Sequence, residues 1–266
     1  MKFLYRISNN SYKKEKLANA SKENCYLNFL NNVLLASDTL DVLADNINAE
    51  LKTFILAHLP SNGRLLEINS GSNGASFRLQ MEMACKLADD EIVMLHEDDY
   101  LYRPHAGDTP LKKFNHLAIL EGLSKAQYVS LYDHPDKYIP RKAVPADTDP
   151  RSIHPTINHH LVIADGYLWG NPMVSEDGVE NTGVFLTAST HWKYTNSTTL
   201  TFAAYAKTLK EDYSVWEKYS REAHPHDYWA FTELRSAGRK IATPIPSLAT
   251  NTEYPWVSPL FAWESL

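Results

Sequence analysis

The stretch ADDEIVMLHEDDYLY, residues 88–102, constrains the fold of this chain more than any other. Its apolar run Ile92-Val93-Met94-Leu95 is too short for a helix and too continuous for a half-exposed strand. It lies between Asp89-Asp90 and Glu97-Asp98-Asp99. That pattern predicts a strand buried on both faces, with carboxylates at its carboxyl end. Open α/β sheets bind ligands in the crevice beyond the carboxyl ends of their strands, where adjacent acids repel one another unless a cation neutralises them. Oxygen-rich acid clusters suit Mg²⁺ or Mn²⁺, which keep waters and bridge one or two carboxylates to the phosphates of a substrate. The stretch points to a phosphate-bearing substrate held through a metal. The plainer alternative is a solvated acidic turn.

The segments upstream fit a sheet built of strand–helix units. Residues 3–8 are a short β-type run, and residues 9–16 after it read as a loop. Ser21, with Asn24 three residues on, starts a helix whose Leu27, Leu30, Leu34 and Leu35 keep helical spacing. Residues 40–45 form a second strand ending in an acid, Leu51, Phe54, Ile55 and His58 mark a second helix, and residues 64–68 form a third strand. This alternation predicts an α/β fold with a parallel sheet. The loop Asn69-Ser70-Gly71-Ser72-Asn73-Gly74 takes positive φ angles readily and brings backbone N–H groups near a ligand, so Ser72, Asn73 and Gly74 are candidate substrate contacts. The helix that follows has Phe77, Met81, Cys85 and Ala88 on one face. On another, Arg78, Glu82 and Lys86 lie four apart. Arg78 is either a surface ion-pair partner of Glu82 or a first-turn residue beside an anion site.

Downstream, residues 111–126 read as a helix and 128–133 as a strand. The pattern then fails from 137 to 172, where prolines and His154, His159 and His160 cluster; a loop of that length in a compact domain is usually a lid or binding loop. Strand character returns at 184–187 and 198–203, and a helix is expected over 210–222. His224-Pro225-His226-Asp227 precedes an amphipathic helix over 228–237, closed by Gly238 and followed by a strand at 239–243. With no internal repeat or clear linker, one domain is expected, its first half (1–133) holding the phosphate-bearing ligand and its second (134–266) the other substrate. Trp169, Trp192, Tyr194, Trp216 and Trp229 supply aromatic surface for stacking on sugars or bases; one or two of them, Trp192 among them, are expected to line the site.

Composition narrows the partners. A net charge of −6 over 266 residues argues against a general polyanion binder, which draws its affinity from Lys and Arg on phosphates. The two cysteines, Cys25 and Cys85, sit in apolar helical patterns and read as small core residues rather than a disulfide, which favours a reducing compartment. The opening MKFLYRISNN lacks a signal-peptide apolar region, and no stretch approaches the roughly 20 apolar residues of a membrane span. The expectation is a cytoplasmic protein without a membrane span.

Two segments resemble one family. SGSNGASFRLQMEMACKLADDEIVMLHEDDY is similar to the Gly-rich loop, Arg-bearing helix and acid-tipped strand of nucleotide-sugar glycosyltransferases with the GT-A fold, especially the family 2 type. HDYWAFTELRSAGRKIATPIP resembles their later segment, in which an Asp opens a helix that leads through Gly to a strand and a Pro. The resemblance covers about residues 2–133 and 182–250, with both motifs in the family's order. It implies a Rossmann-like GT-A fold, a mixed and mainly parallel sheet flanked by helices. It further implies a metal-dependent transfer of a sugar from a nucleotide-sugar donor to an acceptor hydroxyl. Glu97 and Asp99 would be the outer acids of the Asp-x-Asp motif that binds Mn²⁺ or Mg²⁺, with Asp99 the direct ligand and Asp98 next to the donor ribose or sugar. Asp45 would hold the base or ribose, Arg78 would lie near the nucleotide, and Asp227 would be the general base of an inverting reaction. Asp227 also suits an N-cap. The chain departs from the pattern in having Glu97 as the first acid, His226 before Asp227 where relatives usually have Glu, and Asn251 near the place of a late metal-binding His. Either His224 or His226 takes over metal binding, or the metal has one protein ligand. The acceptor is a carbohydrate, a protein, a small molecule or a modified nucleic-acid base. The rival readings are a metal-dependent phosphohydrolase or nucleotidyltransferase and a non-catalytic sugar- or nucleotide-binding protein.

Overall fold

The first β-type run becomes strand β1 (Lys2–Ser8) in the computed structural model, which describes residues 1–9, 14–104, 111–135, 173–175, 178–180 and 184–266. Phe3, Tyr5 and Ile7 enter one apolar cluster and Leu4 the other, so β1 is buried on both faces. Helix α1 (Lys22–Asn32) starts where Ser21 Oγ accepts the Asn24 N–H at 3.1 Å. Strand β2 (Thr39–Asp45) follows, then α2 (Ala49–His58), capped by Asn48, and β3 (Gly63–Ile68). Helix α3 (Asn73–Ala84) is capped by Ser72, whose Oγ accepts the Ala75 N–H at 3.1 Å. It leads to β4 (Ile92–His96), where Met94 packs on one side of the sheet and Val93 and Leu95 on the other. The continuous apolar run is a doubly buried strand, as its pattern predicts.

After the short β5 (Tyr100–Tyr102) come α4 (Leu111–Leu123) and β6 (Tyr128–Val129), the latter shorter than the expected 128–133. Strands β7 (Met173–Ser175) and β8 (Gly178–Glu180) pair only with each other. Then follow β9 (Val184–Leu186), β10 (His191–Tyr194) and β11 (Phe202–Tyr205). The last of these starts later than the expected 198 because Thr199 and Leu200 have φ angles of 45° and 62°, which no strand accommodates. The single helix expected over 210–222 is two, α5 (Ala206–Glu211) and α6 (Tyr213–Lys218), interrupted at Asp212. Helix α7 (Asp227–Ser236), β12 (Ile241–Ile245), β13 (Ala249–Asn251) and two short 3₁₀ turns complete the elements of the described residues. The proline-rich segment 137–172, with His154, His159, His160 and Trp169, lies outside the described residues.

One nine-stranded sheet runs β3-β2-β1-β4-β11-β6-β12-β10-β9, and only β10 and β11 run against the other strands. The fold is therefore a mixed, mainly parallel α/β sheet. Helices α1, α2 and α4 cover one face and α3, α5, α6 and α7 the other. The chain leaves β1 toward β2 and β3 on one side and later returns to β4 on its other side. The carboxyl ends of β1 and β4 thus sit at a topological switch point, where such sheets open a crevice. Both cysteines are free; Cys25 is buried and Cys85 half-buried. No helix among the described residues is long and apolar enough to cross a membrane.

Candidate functional site

Each acid of the Glu97-Asp98-Asp99 triplet meets a cation from the first 22 residues. Arg6, near the end of β1, places Nη2 2.6 Å from Glu97 Oε1. Lys22, in the first turn of α1, is hydrogen-bonded to Asp98 Oδ2, which also accepts the Ser8 N–H at 2.9 Å. Lys16 Nζ stands 3.5 Å from Asp99 Oδ2. These groups line a cavity of about 600 Å³ at the carboxyl ends of β1, β2 and β4, together with Asp45, Asn46, Gly71, Ser72, Asn73, Asp227, Asn251, Glu253 and Trp256. Of the residues to which the sequence points, Asp45, Ser72, Asn73, Glu97, Asp98, Asp99 and Asp227 all line this cavity. Behind the triplet, His96 is buried and its ring is neutral, burial having pulled its pKa down to about 3. The Glu97 carbonyl only accepts, so His96 Nδ1 carries the proton across 2.5 Å, and Nε2 accepts from Tyr102 Oη at 2.7 Å. This network fixes the strand end that carries the acids.

The loop after β3 serves the site differently from expectation. Ser72 caps α3, while the Asn73 carbonyl and side chain both accept from Arg6 Nη1, so Asn73 orients the cation that holds Glu97. The Asp45 carboxylate accepts the Ser70 N–H at 3.1 Å and the Ser70 hydroxyl. Gly74 does not line the cavity. Its N–H donates to the Ala223 carbonyl at 2.9 Å, and a Cβ at that position would lie 2.0 Å from the Glu222 carbonyl oxygen. Arg78 likewise does not line the cavity; its Nη1 donates to the Ser220 carbonyl rather than to Glu82. Both residues dock the start of α3 against the 220–226 loop that delivers Asp227.

Asp227 opens α7 as its first residue, and the cap position belongs to His226. The Asp227 Oδ2 accepts the Thr198 N–H at 2.7 Å, with the Ser197 and Thr198 hydroxyls at 3.4 Å. Its Oδ1 has no hydrogen-bond donor among the described residues. The 198–200 turn is held from below by Tyr100 Oη, which donates to the Thr198 carbonyl at 2.7 Å, and its left-handed residues Thr199 and Leu200 line the cavity. Non-glycine residues in that region are costly and cluster at functional sites. His226 does not reach the acids. Its Nε2 lies 3.5 Å from Glu222, its side chain is about half exposed (48%), and its backbone is occupied in starting the helix. Trp192 is fully buried, stacked on Phe185 with its Nε1 donating to Thr187 Oγ1 at 2.9 Å, so it is a core residue of β10. The aromatic wall of the cavity is Trp256, unforeseen in sequence, whose carbonyl accepts from Tyr132 Oη at 2.5 Å and whose ring tilts against His134. Lys16, Lys22 and Arg6 were also missed. Their signal was only a scatter of cations around the first strand.

Electrostatics set the acids apart. Burial pushes the Glu97 carboxyl up to about 8, opposed by Arg6 and reinforced by Asp99, Asp98 and Asp227. Asp99 is also raised, by burial first, with Lys16 opposing and Asp98 reinforcing. Burial lowers Lys16, but Asp99, Asp98 and Glu253 outweigh it, and its ammonium is held more firmly than usual. Among the described residues no group of three or more His, Cys, Asp and Glu side chains forms a metal cluster. Mg²⁺ and Mn²⁺ do not need one, since one or two carboxylates suffice when a substrate supplies phosphate oxygens. Asp99 fits that role because its Oδ1 is buried without a hydrogen-bond partner, and Asp98 adjoins it. Glu97, committed to Arg6, and His226, outside the cavity, do not fit.

No protein-family model matches the chain, and no curated protein matches it. Among solved structures it is similar to galactosyltransferase LgtC in complex with donor and acceptor sugar analogues, at 12% identity and a TM-score of 0.43 over 91% of this chain and 73% of that one. It is similar to S. aureus TarS 1–349 at 12% identity and a TM-score of 0.45, over 91% of this chain and 58% of that one. A CMP:2-keto-3-deoxy-manno-octonic acid synthetase complexed with CTP shares 14% identity and a TM-score of 0.42, over 94% and 92%. The similar structures thus include both a galactosyltransferase and a synthetase complexed with CTP.

Proposed function

We propose that this chain is a glycosyltransferase that moves a sugar from a nucleotide-sugar donor to an acceptor hydroxyl, with inversion at the anomeric carbon. The observation that supports this most is the meeting of two carboxylate systems across one cavity, the acid-tipped β4 and Asp227 at the start of α7. The acceptor O–H gives its proton to Asp227 Oδ1 as its oxygen bonds to the anomeric carbon. The bond from that carbon to the diphosphate oxygen breaks, and its electron pair leaves with the nucleoside diphosphate. Thr198 N–H fixes the orientation of Asp227 by holding Oδ2. Arg6, Lys16 and Lys22 offset charge that grows on the leaving diphosphate, Asp45 faces the nucleoside, and Asp98 adjoins the donor sugar. Mn²⁺ or Mg²⁺ held by Asp99 and Asp98 would supply Lewis-acid neutralisation of the diphosphate. Trp256 offers an apolar ring face on which a sugar packs.

The test is turnover of a panel of nucleotide sugars, with Mn²⁺, with Mg²⁺ and with chelator, on the wild type and on Asp99→Ala. Release of a nucleoside diphosphate from one nucleotide family, lost in Asp99→Ala, is the expected result. Silence toward every nucleotide sugar would overturn the reading. Pyrophosphate release from a nucleoside triphosphate and a sugar phosphate would turn it to nucleotidyl transfer.

A further inference from the structure

Asp98 and Asp99, the two carboxylates that fit a divalent cation, are already neutralised by the protein itself. Lys22 bonds to Asp98 and Lys16 stands 3.5 Å from Asp99, so two negative charges face two positive ones. Arg6 belongs to a different arrangement. It is buried at 7% exposure, bonded to Asn73 and Ser76 as well as Glu97, with its guanidinium 5.4 Å from the Phe77 ring centroid. Arg6 is a fixed part of the wall. The two lysines are less enclosed, with 22% and 18% side-chain exposure. An ammonium on a four-carbon stem re-aims easily, unlike a clamped guanidinium.

A divalent cation on the same two carboxylates leaves the two ammonium groups surplus inside one cavity. The patch then changes from neutral to a net charge of +2, which a diphosphate is able to match. We propose that Lys16 and Lys22 are an exchangeable counter-ion pair. They occupy Asp98 and Asp99 when no cation is bound, and they turn to the donor diphosphate when a divalent cation takes those carboxylates. The cation and the diphosphate then bind cooperatively, because each removes the lysines from competition with the other. This rests on the proposed cation at Asp98 and Asp99.

The exchange predicts effects of opposite sign on two ligands. Binding of Mn²⁺ alone, followed by electron paramagnetic resonance, should tighten about tenfold in Lys22→Gln and in Lys16→Gln, because a competitor is gone. Binding of inorganic pyrophosphate at a fixed excess of Mn²⁺, followed by calorimetry, should weaken about tenfold in the same variants. Lys22→Arg keeps the charge and should retain pyrophosphate binding, and thermal melting identifies any variant that fails to fold. Weakening of both ligands would make the lysines structural and overturn the proposal. Tightening of both would make them a mere obstruction and overturn it equally. If Mn²⁺ binds neither the wild type nor the variants, the exchange fails, while nucleotide-sugar turnover in chelator still decides the transferase reading separately.

Discussion

At the scale of single residues, identical side-chain types have different fates according to what surrounds them. Asp227 keeps one carboxylate oxygen on a backbone N–H and lines the cavity, the arrangement that the proposed base role needs. Asp227→Asn is expected to lower kcat by about 10²–10⁴-fold, the usual contribution of a positioned base. Nucleoside diphosphate affinity, measured by calorimetry, should stay unchanged. Asp41, at the far end of the sheet, is purely structural. Its carboxylate is bound by Lys2 Nζ at 2.7 Å and by Arg64 Nε and Nη2 at 2.8 and 2.6 Å. Burial raises its pKa, but those hydrogen bonds more than offset it and the net shift is downward. The stability it contributes is therefore present above the ordinary carboxylate pKa and lost as pH falls through the lowered folded value. Asp41→Ala, which strands the buried Lys2, should cost about 3 kcal/mol at neutral pH. Urea unfolding from pH 7 to pH 3 should show the wild-type advantage shrinking on acidification.

At the scale of elements, the start of α3 and the 220–226 loop form one unit. Gly74 is required by close approach rather than by a ligand. Gly74→Ala must push the Glu222 carbonyl away, and Asp227 opens α7 directly after that loop. The variant is expected to lose about 1–3 kcal/mol of stability. It should also lower kcat more than tenfold, since a displacement near 1 Å at a catalytic group costs on the order of 10²-fold. Retained nucleotide affinity with depressed kcat would support this, and unchanged kcat would overturn it. The late start of β11 has the same logic. Tyr100 from β5 pins the 198–200 turn in a conformation that strand pairing excludes, and that turn supplies the donor to Asp227.

At the scale of the whole molecule, the sheet order brings residues 6, 16, 22, 45, 97–99, 227 and 256 to one end. Elsewhere a second charged knot ties the layers together. Asp212, between α5 and α6, accepts from Tyr128 of β6 at 2.7 Å and from Arg239, before β12, at 2.8–3.0 Å. Asp212→Ala should cost about 1–3 kcal/mol, read from denaturant midpoints, because it leaves the buried Tyr128 hydroxyl without its acceptor, yet leave nucleotide affinity of the folded protein intact. Hydrophobic period was enough to read β1 to β4 and α1 to α3 from the sequence, because its signals are local: an apolar run too continuous for one face, helical spacing after Ser21, a Gly-rich turn. Asp45, Ser72, Asn73, Glu97, Asp98, Asp99 and Asp227 come to one cavity because each sits at the end of such an element. Gly74, Arg78, Trp192 and His226 lie off the cavity, and Arg6, Lys16, Lys22 and Trp256 were overlooked, because direction of a side chain is not a local property. Whether Arg78 finds an anion or the Ser220 carbonyl depends on a segment more than a hundred residues away. The sequence alone determined strands β1 to β4, helices α1 to α3 and the acids at their ends; the tertiary structure decided which cations face those acids, since ion pairing depends on distances that only packing creates.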